Sequence, residues 1–180
     1  MGRKMITTDL TAYERLLVFS DIHGSEQALK RLMDRFDRGA ADHIIIAGDL
    51  VLRHREGAAA LLRRHRNHIT AVRGNCDTND DATITGLPLP AMQSISWISG
   101  YTILLMHGHQ LRPAGSAMVR PRTILITGHT HTPRIHHDET RDTLQLNPGS
   151  AASPRGGNPA TYAVISPGEV TINRLSSGAV

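Results

Sequence analysis

The chain has 180 residues and a single cysteine, Cys76, so it can form no internal disulfide and suits a reducing compartment. Aromatic residues make up only 3%, which leaves Leu, Ile, Val and Ala to fill the core. No apolar run approaches the ~20 residues that cross a bilayer, so no membrane span is expected. The opening "MGRKMITTDLTAYERLL" is basic, but Asp9 and Glu14 interrupt it and no long apolar stretch follows. That argues against a secretory signal and for a cytoplasmic protein. Linkers, internal repeats and low-complexity segments are also missing. Residues 16–180 therefore read as one domain, with residues 1–15 as an N-terminal extension, either frayed or adding an edge to the fold.

Apolar residues at 39% and charged residues at 20% describe an ordinary soluble globule. Twenty basic residues against sixteen acidic give a net charge of +4, which attracts phosphates and nucleic acid alike. The densest basic stretch, "RHREGAAALLRRHRNH", carries Ala59, Leu61 and Leu62 at helical spacing and reads as a helix with a solvated face. A nucleic-acid interface is the alternative. It is not favoured, because no aromatics are interleaved to stack on bases.

Five short apolar runs recur, each followed by a residue able to bind a metal. "RLLVFS" leads into Asp21, "HIIIAG" into Asp49, "ITAVRG" into Asn75, "YTILLM" into His107 and "TILITG" into His129. Between the first two strands, Ala28, Leu29, Leu32, Met33 and Phe36 make a helical stripe, with Ser25 as N-cap and Gly39 as stop. A second helix covers Glu56 to Arg66. Strand–helix alternation predicts parallel pairing, and residues just past the carboxyl ends of such strands gather in one crevice. The second half predicts three hairpins, turning at Ser99-Gly100, near Asp138–Arg141, and at Pro167-Gly168. The expected class is α/β, with two packed mixed β-sheets flanked by helices.

Collected in order, the strand-end residues Asp21, His23, Asp49, Asn75, His107, His129 and His131 spell "DIH", "GD", "GN", "HGH" and "GHTH". This ordered set resembles the calcineurin-like metallophosphoesterase superfamily, and from Leu16 onward nearly the whole chain shares the resemblance. "SDIHGS", "AVRGNCD" and the tail "NPGSAASPRGGNPATYAVI" make it similar to the small YfcE-type bacterial phosphodiesterases. The resemblance implies a four-layer α/β/β/α sandwich and two divalent transition-metal ions. Asp21, His23 and His131 would hold one ion, and Asn75, His107 and His129 the other, with Asp49 bridging.

A two-residue offset on an extended strand end would let neighbouring ligands face the same way. The imidazole and oxygen donors suit manganese first, with iron, zinc, nickel or cobalt as alternatives, and disfavour calcium. The implied reaction is phosphodiester hydrolysis by attack of a metal-bridging hydroxide, with Asn75 helping to offset charge on the phosphoryl oxygens. A small-molecule phosphoester is the expected substrate. A nuclease, a phosphatase of the same fold, a non-catalytic scaffold and a homo-oligomer remain open.

Cys76 departs from the "GNH" of many family members, whose histidine is a candidate proton donor to the leaving group. A neutral thiol is a poor substitute, so substrates with good leaving groups, such as aryl diesters, are expected. No arginine follows Cys76 to cradle a phosphate, so it reads as a small buried residue rather than a nucleophile. Asp77 and His109 are further candidates in the catalytic site. Asp77 would orient a loop or a histidine, or cap a helix over "TNDDA". His109 would reach the substrate or orient a ligand. Arg155 and the histidines 43, 54, 65, 68, 136 and 137 read as surface residues, with His54 on the rim of the crevice.

Overall fold

A computed structural model describes residues 6–109 and 120–176. Five strands form one sheet in the order β11-β10-β2-β3-β4, and six form the other in the order β1-β5-β6-β7-β9-β8. In chain order the strands are β1 (Ile6–Asp9), β2 (Leu16–Phe19), β3 (His43–Ile46), β4 (Ile69–Ala71), β5 (Met92–Ser96) and β6 (Thr102–Met106). They continue with β7 (Thr123–Ile126), β8 (Arg134–Asp138), β9 (Thr143–Asn147), β10 (Thr161–Ser166) and β11 (Glu169–Arg174). The helices are α1 (Glu26–Asp37), α2 (Glu56–His65) and α3 (Asn79–Thr85).

The apolar alternation explains how the layers stack. Strands β2 and β3 are buried on both faces, so their side chains divide between two cores. Leu17, Phe19, Ile44 and Ile46 point toward Leu29, Leu32 and Met33 of α1 and Leu62 of α2. Leu16, Val18 and Ile45 meet Ile95, Ile103, Leu105, Ile124 and Ile126 of the other sheet. Sandwiched sheets with α1 and α2 outside are the architecture the sequence predicts. Strands β2, β3 and β4 pair in parallel, as the strand–helix alternation requires. Ser25 caps α1 by accepting the Ala28 N–H.

All three expected hairpins form: β5 with β6, β8 with β9, and β10 with β11. Ser99 and Gly100 turn the first with φ of 54° and 74°. Ile6–Asp9 pairs in parallel with β5 and becomes the outer strand of the six-stranded sheet.

Two of the histidines expected on the surface are buried instead. His43 opens β3 and places Nε2 2.9 Å from the Thr70 hydroxyl. His65, on the inner face of α2, places Nδ1 2.8 Å from the Leu61 carbonyl and Nε2 3.0 Å from Asp37 of α1. Each neighbours charged residues in sequence, but each falls on the inward phase of its strand or helix.

Candidate active site

The carboxyl ends of β2, β3, β4, β6 and β7 converge, as parallel topology demands. Beyond β2 and β3 the backbone ladder continues into the loops. Asp21 N–H donates to the Gly48 carbonyl at 3.1 Å, and His23 N–H to the Asp49 carbonyl at 3.0 Å. Asp21, Asp49, His107 and His131 are buried at the floor, His23 is half-buried, and Asn75, His109 and His129 are exposed at the mouth.

The ligand pairs do not lie on extended strand, which corrects the offset argument from the sequence. Asp21, His23, Asp49, His129 and His131 all adopt positive φ, between 45° and 70°. Such conformations are disfavoured for residues other than glycine and persist only where the surroundings enforce them. The glycines of the motifs keep the loops close. A Cβ on Gly74 would lie 1.9 Å from Asp49 Oδ1, and one on Gly128 1.9 Å from Ser20 Oγ and 2.8 Å from Asp21 Oδ2.

Two of the histidines have their tautomer fixed by a backbone carbonyl. His107 Nδ1 lies 2.6 Å from the Ala47 carbonyl, and His131 Nδ1 lies 2.5 Å from the Ser153 carbonyl. Each Nδ1 therefore carries the proton, and each Nε2 lone pair faces the crevice. There, among the described residues, it meets carboxylate oxygens, an amide oxygen and a second imidazole. His107 Nε2 is 3.1 Å from Asn75 Oδ1 and 3.4 Å from Asp49 Oδ2. His131 Nε2 is 3.2 Å from Asp21 Oδ1 and 3.4 Å from His23 Nε2. Asp21 Oδ1 is buried and, among the described residues, has no hydrogen-bond donor.

Donor atoms this close repel unless a proton or a metal ion sits among them. Ligands held at about 2.0–2.2 Å from one ion are spaced about 3–3.5 Å apart, which is the spacing found. The donors therefore fit divalent metal. Among the described residues, three groups bring their donor atoms within 4.8 Å of one another: Asp21, His23 and His131; Asp21, Asp49 and His107; and His23, Asp49 and Cys76. The His129 ring is in none of them, but it lies 5.3 Å from the His107 ring.

Protonation follows the same crowding. Burial opposes charge on His107, yet its hydrogen bonds to Asp49 and to the Ala47 carbonyl raise its pKa above the usual value. Burial works against ionised Asp49 too, but His107 and the Cys76 N–H hold its carboxyl below the ordinary range. His109 is shifted down by burial and by its neighbours His107 and His129.

Asp77 neither caps α3 nor faces the crevice alone. Thr78 is the N-cap, in a capping box with Asp81. Asp77 Oδ2 accepts the N–H groups of Asp49 at 2.9 Å and Gly74 at 2.8 Å, and its Oδ1 accepts that of Val51 at 3.0 Å. It thus ties the "GD" loop to the "GN" loop. Cys76 is exposed, not buried, with Sγ 3.2 Å from Asn75 Nδ2. Burial and the hydrogen bond with Asp49 push its thiol up to about 11.

The run Asn147 to Ser150 reads in sequence as a turn approaching the site, but the side-chain roles of two of its residues were not foreseen. Ser150 Oγ donates to the Asp21 carbonyl at 2.7 Å, and buried Asn147 donates to the Gly128 carbonyl at 2.8 Å. The "NPGS" run after β9 was the available signal.

The Calcineurin-like phosphoesterase superfamily domain model matches residues 15–169. Phosphodiesterase YfcE of Escherichia coli K12 is 33% identical over 162 residues, covering 84% of this chain and 86% of that protein. A probable metallophosphoesterase of Methanocaldococcus jannaschii is 32% identical over 148 residues, covering 77% and 68%. The solved structure of Escherichia coli YfcE, described as a phosphoesterase, superposes with a TM-score of 0.82 at 28% identity, covering 92% and 95%. A mutant Vps29 from Entamoeba histolytica superposes with a TM-score of 0.63 at 27% identity, covering 88% and 89%. With the strand-end donors in one crevice and the family model spanning most of its length, the chain belongs to the calcineurin-like phosphoesterase superfamily.

Proposed function

We propose that this protein is a metal-dependent phosphodiesterase that uses two divalent ions, manganese first among them, on a small-molecule phosphoester in the cytoplasm. The observation that carries this reading is the convergence of four candidate ligand atoms, His107 Nε2, His131 Nε2, Asp21 Oδ1 and Asp49 Oδ2, at 3.2–3.9 Å. Asp21, His23 and His131 would hold one ion, and Asn75, His107 and His129 the other, with Asp49 shared. Asp49 Oδ2 lies 3.8 Å from His23 Nε2 and 3.4 Å from His107 Nε2, which supports its being shared. When bound, the ions supply Lewis acidity that activates water near neutral pH and offsets charge on the phosphoryl oxygens.

The chain's own groups do the rest. The Ala47 and Ser153 carbonyls fix the His107 and His131 rings so that binding costs no tautomer change. Asn75, exposed at the mouth, turns its amide toward a phosphoryl oxygen. Water adds to phosphorus, the ester P–O bond breaks and the alcohol leaves, with no phosphoenzyme. Cys76 stands beside the mouth as a neutral thiol and a weak proton donor. Departing groups that need no proton, such as phenolates, are therefore favoured.

A binding scaffold is the competing reading, since a Vps29 shares the fold. All seven donor positions are filled here, which favours catalysis. Metal analysis of the purified protein and hydrolysis of bis-p-nitrophenyl phosphate with added Mn²⁺ test the proposal. The expected result is bound metal and Mn²⁺-dependent release of p-nitrophenol. A protein that binds no metal, or turnover untouched by Asp49→Ala, would reject it.

A further inference from the structure

The segment between Asp49 and α2, "LVLRHR", is held more firmly than a connecting loop requires. Gly24 N–H donates to the Leu50 carbonyl at 2.7 Å, Val51 N–H to Asp77 at 3.0 Å and Leu52 N–H to buried Asp81 at 2.6 Å. Two non-glycine residues in it take positive φ, Val51 at 52° and His54 at 59°. For a β-branched residue such as Val51 this backbone is a genuine outlier, kept only where the surroundings impose it.

The segment displays Arg53, His54 and Arg55, all exposed. The Arg55 stem lies against Gly24, next to the candidate ligand His23. A Cβ on Gly24 would be 2.7 Å from Arg55 Cγ and 3.2 Å from its Cδ. Several arginines elsewhere are committed to protein acceptors, among them Arg63 to the Ile84 carbonyl, Arg73 to Asn79 and Arg15 to Asp42. Among the described residues, neither the Arg53 nor the Arg55 guanidinium has a hydrogen-bonding or ion-pairing partner. The nearby acids are Glu56, exposed in the first turn of α2, and Glu26, whose carboxylate lies against Gly57.

We infer that Arg53 and Arg55 form a second anion subsite at the mouth of the crevice, binding a phosphate that the substrate carries beyond the one being hydrolysed. The inference rests on the phosphodiesterase reading and narrows its substrate class to diesters bearing an additional phosphate. A guanidinium offers a planar fork of donors that fits phosphate. The braced backbone fixes where those forks start, so binding is not offset by ordering a loose loop.

The test compares thymidine 5′-(p-nitrophenyl phosphate) with the same compound carrying a 3′-phosphate, in Mn²⁺, on the full chain. Wild type is expected to have a kcat/KM about tenfold higher for the 3′-phosphorylated compound, chiefly through KM. Arg53→Gln with Arg55→Gln brings the ratio close to one. Arg38→Gln with Arg64→Gln removes equal charge from exposed positions elsewhere and keeps the ratio. A wild-type ratio near one, or equal losses in both double variants, overturns the subsite. If neither compound is hydrolysed, the phosphodiesterase reading falls and binding decides for the subsite. Calorimetry should then show adenosine 3′,5′-bisphosphate binding more tightly than adenosine 5′-monophosphate, with the preference lost in the rim variant. Equal binding overturns the subsite.

Discussion

Strand β3 begins at buried His43 and runs out into buried Asp49, and its two ends treat a buried histidine in opposite ways. At the start, burial, with the charge of His68 adding, pushes His43 down to about 4. Among the described residues its Nδ1 has no hydrogen-bond partner, and the Tyr13 ring packs 4.9 Å away. At the far end His107 is as deeply buried, yet the Asp49 carboxylate and the Ala47 carbonyl raise its pKa despite that burial. Burial alone therefore does not make a histidine a site. Carboxylates converging on its Nε2 do, and among the described residues only the far end of the strand has them.

Removing those acceptors should have the largest effect. Asp49→Ala is expected to cost more in Mn²⁺-dependent hydrolysis than the 10–100-fold typical of groups that merely support ligands. Asp77→Asn should fall within that range. It leaves one carbonyl oxygen where two carboxylate oxygens now accept three backbone N–H groups, so the ligand loops loosen. Steady-state kinetics with a metal titration would separate the two, because Asp77→Asn should be partly rescued by excess metal.

The two ends also predict opposite behaviour with pH. A raised His107 pKa means that protons compete with metal as pH falls through and below neutrality, so Mn²⁺ half-saturation should rise there. At the other end, a depressed pKa means that the unfolded state binds the proton first. Stability from keeping His43 neutral is complete above about 6.5 and is lost as pH falls toward about 4. Urea unfolding should show the wild-type midpoint dropping across that window more steeply than His43→Gln, a difference on the order of 2–3 kcal/mol. Parallel slopes would show that His43 is not the group responsible.

The smallest change concerns selectivity. Cys76→His should raise turnover of alkyl diesters relative to aryl diesters by supplying a better proton donor. Unchanged selectivity would remove Cys76 from the account.

The topology of the site was legible because strand ends are punctuated: an apolar run, then a glycine or polar residue, then a donor. Parallel β2, β3 and β4 then bring Asp21, Asp49 and Asn75 together from distant positions. The backbone at those donors was not legible, because Asp and His, though enriched at positive φ, also stand on extended strand ends. For Asp77, residue type leaves two readings open, orienting a loop or a histidine and capping "TNDDA". Its real partners, Asp49 and Val51, lie 28 and 26 positions away and emerge only when the loops are packed. His43 and His65 looked superficial because charged residues surround them in sequence, while the phase of the strand or helix turns them inward. The pairing of Ile6–Asp9 with β5 joins segments more than 80 positions apart and had no local signal.

The central claim is that the strand-end acceptors form one two-ion site with Asp49 shared. Titrating metal-free protein with Mn²⁺ by calorimetry, beside Asp49→Ala, tests it most directly. The wild type is expected to bind two ions per chain, and removing the shared carboxylate to abolish tight binding of both. Binding of one ion or none, or a stoichiometry of two that survives Asp49→Ala unchanged, would contradict it.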